Sequence, residues 1–303
     1  MPTVLNERLT PRASSLILLT AILWGGNSVS IKIALLGMSP LGLAGVRFLI
    51  GGLVVLACAV ASNVSLRLVR GEHGALAWLV FLFLAQIILL NEGTHHTLAA
   101  RSTVLICVYP FFTAVFAHLF IPGDRLSRLK ILGMVLSFAG IVLIFAESLK
   151  LDELSHLPGD LMVLASGVLL GARQVYTKRL TQGIHPYKLL VWQSALSLPV
   201  FGLLAGLFER DETYRFTINV IAAILYQGIV VAGFCFVVFV SLLRRYSATS
   251  LGVFGFITPV FGVLASHMLL HEELSPTLLA SMVLVGAGIA IVNWQPLDDV
   301  QGR

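Results

Sequence analysis

Apolar residues run in ten long stretches, near residues 14–36, 41–61, 75–96, 99–121, 129–147, 160–180, 187–208, 217–242, 247–270 and 276–294, divided by short polar joints. Each is close to the roughly 20 residues needed to cross the hydrocarbon core of a bilayer. Leu, Val, Ile and Ala fill them, with Gly interspersed and no in–out alternation, which excludes a β-barrel. A bilayer offers no partner to free backbone groups, so each stretch is predicted to be a helix, and the short joints make neighbours antiparallel. Pro110, Pro199 and Pro259 fall inside these stretches, where a missing N–H and a ring clash kink or break a helix.

The pattern occurs twice. A shift of 146 positions carries Leu23, Gly25, Val29, Lys32, Gly37 and Pro40 onto Leu169, Gly171, Val175, Lys178, Gly183 and Pro186. Further on, Pro110 and His118 meet Pro259 and His267, and Asp124, Leu126, Ser127 and Gly140 meet Glu272, Leu274, Ser275 and Gly288. The chain therefore reads as two copies of one unit, residues 14–146 and 160–294. Five helices per copy is an odd number, so the second copy enters the bilayer from the opposite face. The predicted fold is an all-α integral membrane protein of ten transmembrane helices in two inverted five-helix repeats. Inverted repeats are typical of secondary carriers, which bind their solute near the midplane where the halves meet. Gly133 and Ser137 on the fifth helix, and Gly286 and Ala290 on the tenth, are spaced for close helix packing. The same spacing would suit a dimer interface, so monomer and homodimer both stay open.

Charge fixes orientation. With the N-terminus in the cytoplasm, the inner joints hold Arg67, Arg70, Arg125, Arg128, Lys178, Arg179, Arg244 and Arg245, whereas the outer joints hold Asp152, Glu153, Asp211, Glu212, Glu272 and Glu273. Both termini are then cytoplasmic, and the expected location is the cytoplasmic (inner) membrane. Only 12% of the 303 residues are charged and 57% are hydrophobic, against about 25% charged in a soluble domain. The net charge of +5 is spread by topology and not gathered into a basic stripe, so nucleic acid is not an expected partner. Cys58, Cys107 and Cys235 are odd in number and lie in apolar runs, which reads as packing and not as a disulfide or metal framework. The first stretch follows Arg8 and Arg12 as a signal peptide would, but it is too long and has a counterpart in the second copy, so it reads as a span.

Ionisable groups at membrane depth are costly and mark candidate sites. Away from the joints these are Lys32, Arg47, Arg101, Arg173 and one acid, Glu92. Lys32 and Arg101 lie near helix ends, within reach of the interface. Arg47 or Arg101 is expected to pair with Glu92; the sharper alternative makes Glu92 a proton-coupling carboxylate. Arg173 lies about 13 residues, so roughly 20 Å, into its helix, too deep to escape. Helical spacing sets Trp24, Asn27, Ser28 and Ile31 on one face of the first helix, and Leu170, Arg173, Gln174 and Thr177 on one face of the sixth. These two faces are expected to line a cavity. Arg173 then either faces the substrate or is neutralised inside the protein. Tyr226 and Gln227, Gln86 and Asn91, Trp192 and Gln193, and Thr249 and Thr258 are further hydrogen-bonding candidates. His118 and His267 end their spans, and His95 and His96 share a turn without metal-ligand spacing. The sequence holds no P-loop, zinc-protease or nucleophile-elbow motif, so neither a catalytic residue nor a metal or cofactor is expected.

The chain resembles the drug/metabolite transporter superfamily, specifically its EamA-like permeases of ten helices. Leu23–Trp24–Gly25, Pro40 with Arg47–Phe48, and the run from Ala99–Ala100 through Pro110 to Asp124–Arg125–Leu126–Ser127 with Gly133 and Gly140 carry the resemblance. Pro259, Glu272–Glu273–Leu274–Ser275 and Gly288 repeat it. It covers nearly the whole chain and implies two inverted repeats, alternating access, and export of amino acids or other small metabolites. The superfamily's four-helix multidrug members rely on a glutamate in the first helix; here no acid lies between Arg12 and Pro40. The expected function is a secondary carrier, working mainly as an exporter, of amino acids or related carboxylated compounds. Arg173 would hold the anionic group, Asn27, Ser28 and Gln174 would read polar substituents, and Trp24 would pack on the remainder. The alternative within the class is a nucleotide-sugar, sugar-phosphate or drug carrier, the phosphate-bearing solutes calling for more than one deep cation. A membrane enzyme acting on lipid-linked groups would need clustered acids or a nucleophile–base pair, and neither is visible.

Overall fold

The computed structural model describes residues 7, 9–121, 128–148, 151–210, 212–246, 248, 251 and 253–293. The expected linker Asp124–Arg125–Leu126–Ser127, the candidate Thr249 and the joint residue Asp211 lie outside the described residues, as does the side chain of Ser137. The elements in chain order are α1 (Pro11–Gly25), α2 (Asn27–Ala34), α3 (Pro40–Ala61), α4 (Glu72–His96), α5 (Ala99–Ile106), α6 (Tyr109–Phe120), α7 (Arg128–Ser148), α8 (Leu157–Leu180), α9 (Pro186–Phe208) and α10 (Ile218–Leu225). A π-helical segment, Tyr226–Cys235, leads into α11 (Phe236–Arg245), and a 3₁₀ turn, Val253–Phe256, into α12 (Ile257–Leu270); α13 (Pro276–Asn293) follows. Among the described residues, seven helical segments are long and apolar enough to cross a membrane: Pro11–Ala34, Pro40–Ala61, Glu72–His96, Ala99–Phe120, Leu154–Leu180, Pro186–Phe208 and Ile218–Arg245. Ile131–Gly140, Ile257–Leu270 and Pro276–Gly288 are shorter apolar helices.

Local chemistry sets the helix starts. Pro11, Pro40 and Pro186 open α1, α3 and α9, where no N–H is needed and φ is already helical. Thr10 accepts from Ala13 N at 3.2 Å, and Thr217 from Val220 N at 3.3 Å. His185 caps α9 by accepting from Tyr187 N at 3.3 Å. Burial, reinforced by the nearby Arg244 charge, holds the His185 pKa below the ordinary histidine value and so favours the neutral ring that can accept. Pro110 does what its ring predicts: the fourth span divides at Cys107–Val108, between α5 and α6. Pro199 does not; it lies inside α9, which runs unbroken past it.

Matched glycines bring matched helices together. A Cβ on Gly25 would lie 2.8 Å from Phe261 Cβ, so α1 lies hard against α12. Its counterpart Gly171 would meet Phe112 Cβ at 2.8 Å, placing α8 against α6 in the same way. Gly140 in α7 abuts the Ser281 carbonyl and Val285 of α13, so these two helices pack against each other within the chain. The lysine counterparts also behave alike. Lys32 Nζ donates to the carbonyls of Thr94 (3.1 Å), His95 (2.9 Å) and Thr97 (2.6 Å) at the end of α4. Lys178 Nζ donates to those of Leu243 (2.7 Å) and Tyr246 (2.9 Å) at the end of α11. Cations there meet the negative end of the helix dipole and unpaired carbonyls.

Lys32 is half-buried, its amine bound by three backbone carbonyls at the end of α4. One sequence expectation about charge needs correction. Arg101 is buried and pairs with Asp160, Nε to Oδ2 at 3.3 Å, not with Glu92. Thr97 Oγ1 donates to the other Asp160 oxygen at 2.5 Å. The nearest ionisable partner of Glu92 among the described residues is the His96 ring, Nε2 to Oε2 at 4.0 Å. Asp160, fully buried at the head of α8, is an acid that the sequence reading did not single out. Carboxylates also serve as caps across the bundle. Glu209 accepts from Leu41 N at 2.8 Å and Gly42 N at 2.9 Å, and Glu272 from Ala99 N at 2.8 Å and Ala100 N at 2.9 Å.

Candidate functional site

Where α1 and α2 face α8, the structure encloses a cavity with about 970 Å³ of empty space, part of it open to solvent. Trp24 and Asn27 line one side, and Leu170, Arg173, Gln174 and Thr177 the other. These are the two faces expected from helical spacing. Ile31 and Ser28 are buried in helix packing instead, Ser28 Oγ accepting from Ser102 Oγ at 3.3 Å.

Tyr226 and Gln227, also expected at the site, act as clasps behind it. The Tyr226 hydroxyl donates to the Leu23 carbonyl beside the α1–α2 bend. Gln227 Nε2 donates to the Asn27 carbonyl at 3.0 Å and to Ser30 Oγ at 2.7 Å. Together they tie the π-helical segment to the joint that presents Asn27. Gln86, Gln193 and Thr258 do line the cavity, whereas Asn91 is spent on the Pro40 carbonyl at 2.9 Å and Trp192 on the Leu66 carbonyl at 2.8 Å. His118, His267, His95 and His96 are exposed at helix ends, and no metal-ligating group of three is found among the described residues.

Arg173 sits between aromatic faces. Its Cζ lies 5.1 Å from the Phe83 ring centroid and 5.6 Å from that of Phe236. Ring quadrupoles attract a guanidinium and hold its plane without consuming its N–H groups. Trp24 stands edge-on to Phe239 at 5.2 Å and to Phe236 at 6.4 Å, so the same wall offers an apolar surface beside the charge. Arg47 lines this cavity too, its Cζ 4.6 Å from the Phe48 ring, and it is close enough to Arg173 for the two charges to repel. The expected partner Glu92 does not reach it. Among the described residues no Asp or Glu lines the cavity. The sequence reading missed Phe83, Phe236 and Phe239; their only signal was apolar character shared with every span.

The chamber between the apolar helices is thus cationic and aromatic-walled. The EamA-like transporter family matches residues 11–146 and again residues 157–294, and the chain belongs to this family of membrane transporters. An uncharacterized transporter of Bacillus subtilis, YvbV, is 28% identical over 93% of this chain and 92% of its own length. A probable amino-acid metabolite efflux pump of Salmonella typhimurium is 27% identical over 91% of this chain and 93% of its own. One crystal structure, 20% identical, superposes with a TM-score of 0.73 over 93% of this chain and 98% of that one, which shows a shared fold.

Proposed function

We propose that the chain is a secondary carrier of ten spans in two inverted five-helix repeats, 14–146 and 160–294. It lies in the cytoplasmic membrane with both termini inside and exports amino acids or related carboxylated compounds. Arg173 holds the carboxylate, Asn27, Gln174 and Thr177 read polar substituents, and Trp24 packs on the remainder. One observation carries this reading: a deep guanidinium lines a cavity between the first and sixth spans and has no carboxylate partner among the described residues. The paired contacts Gly25–Phe261 and Gly171–Phe112 support the repeat arrangement. So does the basic bias of the joints assigned to the cytoplasm. The amino-acid assignment follows the names of the enterobacterial relatives.

Counterflow into proteoliposomes with labelled amino acids tests the reading. Saturable uptake by the wild type and its loss in Arg173→Ala, with the variant still monodisperse, are the expected outcome. Unchanged flux in the variant removes Arg173 from the site.

A further inference from the structure

Arg47 is only 1% exposed, yet its Nε and Nη1 have no hydrogen-bond partner among the described residues. Buried charges are ordinarily paired, and an orphaned one is expensive. It stands on α3, its side chain lines the same cavity as Arg173 from α8, and the two repel. No carboxylate lines the chamber to offset them, among the described residues. Two acceptors on the cavity wall, Asn27 Oδ1 and Gln86 Oε1, also lack donors. The Gln86 side chain is pinned through Nε2 to Ser166 Oγ at 3.0 Å, which leaves its oxygen unused.

We propose that the cavity takes a solute with two negative charges, Arg47 being a second anion anchor beside Arg173. This rests on the cavity's being the transport site. A monoanion would leave one guanidinium uncompensated in a low-dielectric chamber. Two carboxylates, or one doubly charged phosphate ester, would satisfy both, since each guanidinium presents a planar fork matched to such oxygens. The unused oxygens of Asn27 and Gln86 would accept a hydroxyl or N–H on the solute body, and the Trp24 and Phe239 rings would cover its carbon skeleton. The chemical class is thus a small dicarboxylate or phosphomonoester with a hydrogen-bond donor.

The probes are matched pairs: succinate with succinamate, glutamate with glutamine, and O-phosphoserine with serine. Each is measured by thermal stabilisation of the purified protein and by competition in counterflow. The member of at least one pair that carries the additional anionic group, the second carboxylate or the phosphate, is expected to bind roughly tenfold or more tightly than its partner, the scale on which a charge-assisted fork contributes. Arg47→Gln should remove that preference, whereas Arg173→Gln should weaken binding of both members of each pair. The wild-type ratio needs no variant: equal or reversed preference in all three pairs overturns the proposal, as does a preference that survives Arg47→Gln. If singly charged solutes bind and depend on Arg173 alone, the dianion inference fails while the carrier reading stands. If no probe or amino acid binds or moves, both fail.

Discussion

The buried pair of Arg101 and Asp160 shows what a single side chain does here and why the sequence misassigned it. Gly93 and Gly159 let α4 and α8 touch backbone to backbone; a Cβ on Gly159 would lie 2.7 Å from the Gly93 carbonyl oxygen. That contact brings Asp160 to Thr97 and Arg101. Asp160→Ala would remove the buried ion pair with Arg101, and removing one partner of such a pair costs about 3–5 kcal/mol. Glu92→Ala removes only a partly exposed interaction with His96, worth about 1 kcal/mol or less. Thermal unfolding in detergent should rank the two variants in that order, and equal losses would contradict the assigned pairing. The depth of Arg101 was legible, because a cation in an apolar run is conspicuous. Its partner was not, because the choice between Glu92 and Asp160 is made by a glycine contact between helices far apart in sequence.

At the scale of the helix, the informative places are where regular geometry stops. α1 gives way to α2 at Gly26, α5 to α6 at Cys107–Val108, and the helical segment Ile218–Arg245 runs through ten π-helical residues. Irregular backbone at membrane depth is tolerated where it is buried in protein or lines a cavity. Here Trp24, Asn27, Cys107, Tyr109 and Val231 at these places all line the chamber. Only the division ahead of Pro110 had a signal in the sequence. The π-helical stretch had none, since it is a matter of hydrogen-bond register. The lysine caps give a quantitative test of element ends. Hydrogen bonds to a charged group contribute about 1.5–3 kcal/mol each, and Lys32 makes three. Lys32→Met should therefore lower stability by at least about 2 kcal/mol by thermal melting, and Lys178→Met should act similarly. A neutral Lys32→Met would mean that water replaces the cap without loss.

For the whole molecule, duplication made the architecture legible: the same Gly, Lys and Pro positions recur because the same contacts recur. Charge balance inside the cavity was less legible, since Arg47 and Arg173 are 126 positions apart and only folding shows that they share one space. Cys107 offers a way to read that space from outside. It lines the cavity, while Cys235 is buried away from its lining and Cys58 lies elsewhere on α3. In a Cys58→Ser/Cys235→Ser background, a sulfonate-bearing thiosulfonate reagent and its trimethylammonium analogue would report the local potential. A cleft of one sign concentrates the opposite ion by about tenfold or more. The anionic reagent should therefore modify Cys107 faster than the cationic one, each scaled to its rate with free cysteine, and Arg47→Gln with Arg173→Gln should erase the difference. A carrier that opens alternately to each side should also let the reagent reach Cys107 from either membrane face, in right-side-out and inverted vesicles alike. Modification from one face only, whatever solute is present, would be incompatible with a site that alternates. Equal rates for the two reagents would mean that the guanidiniums do not govern the chamber.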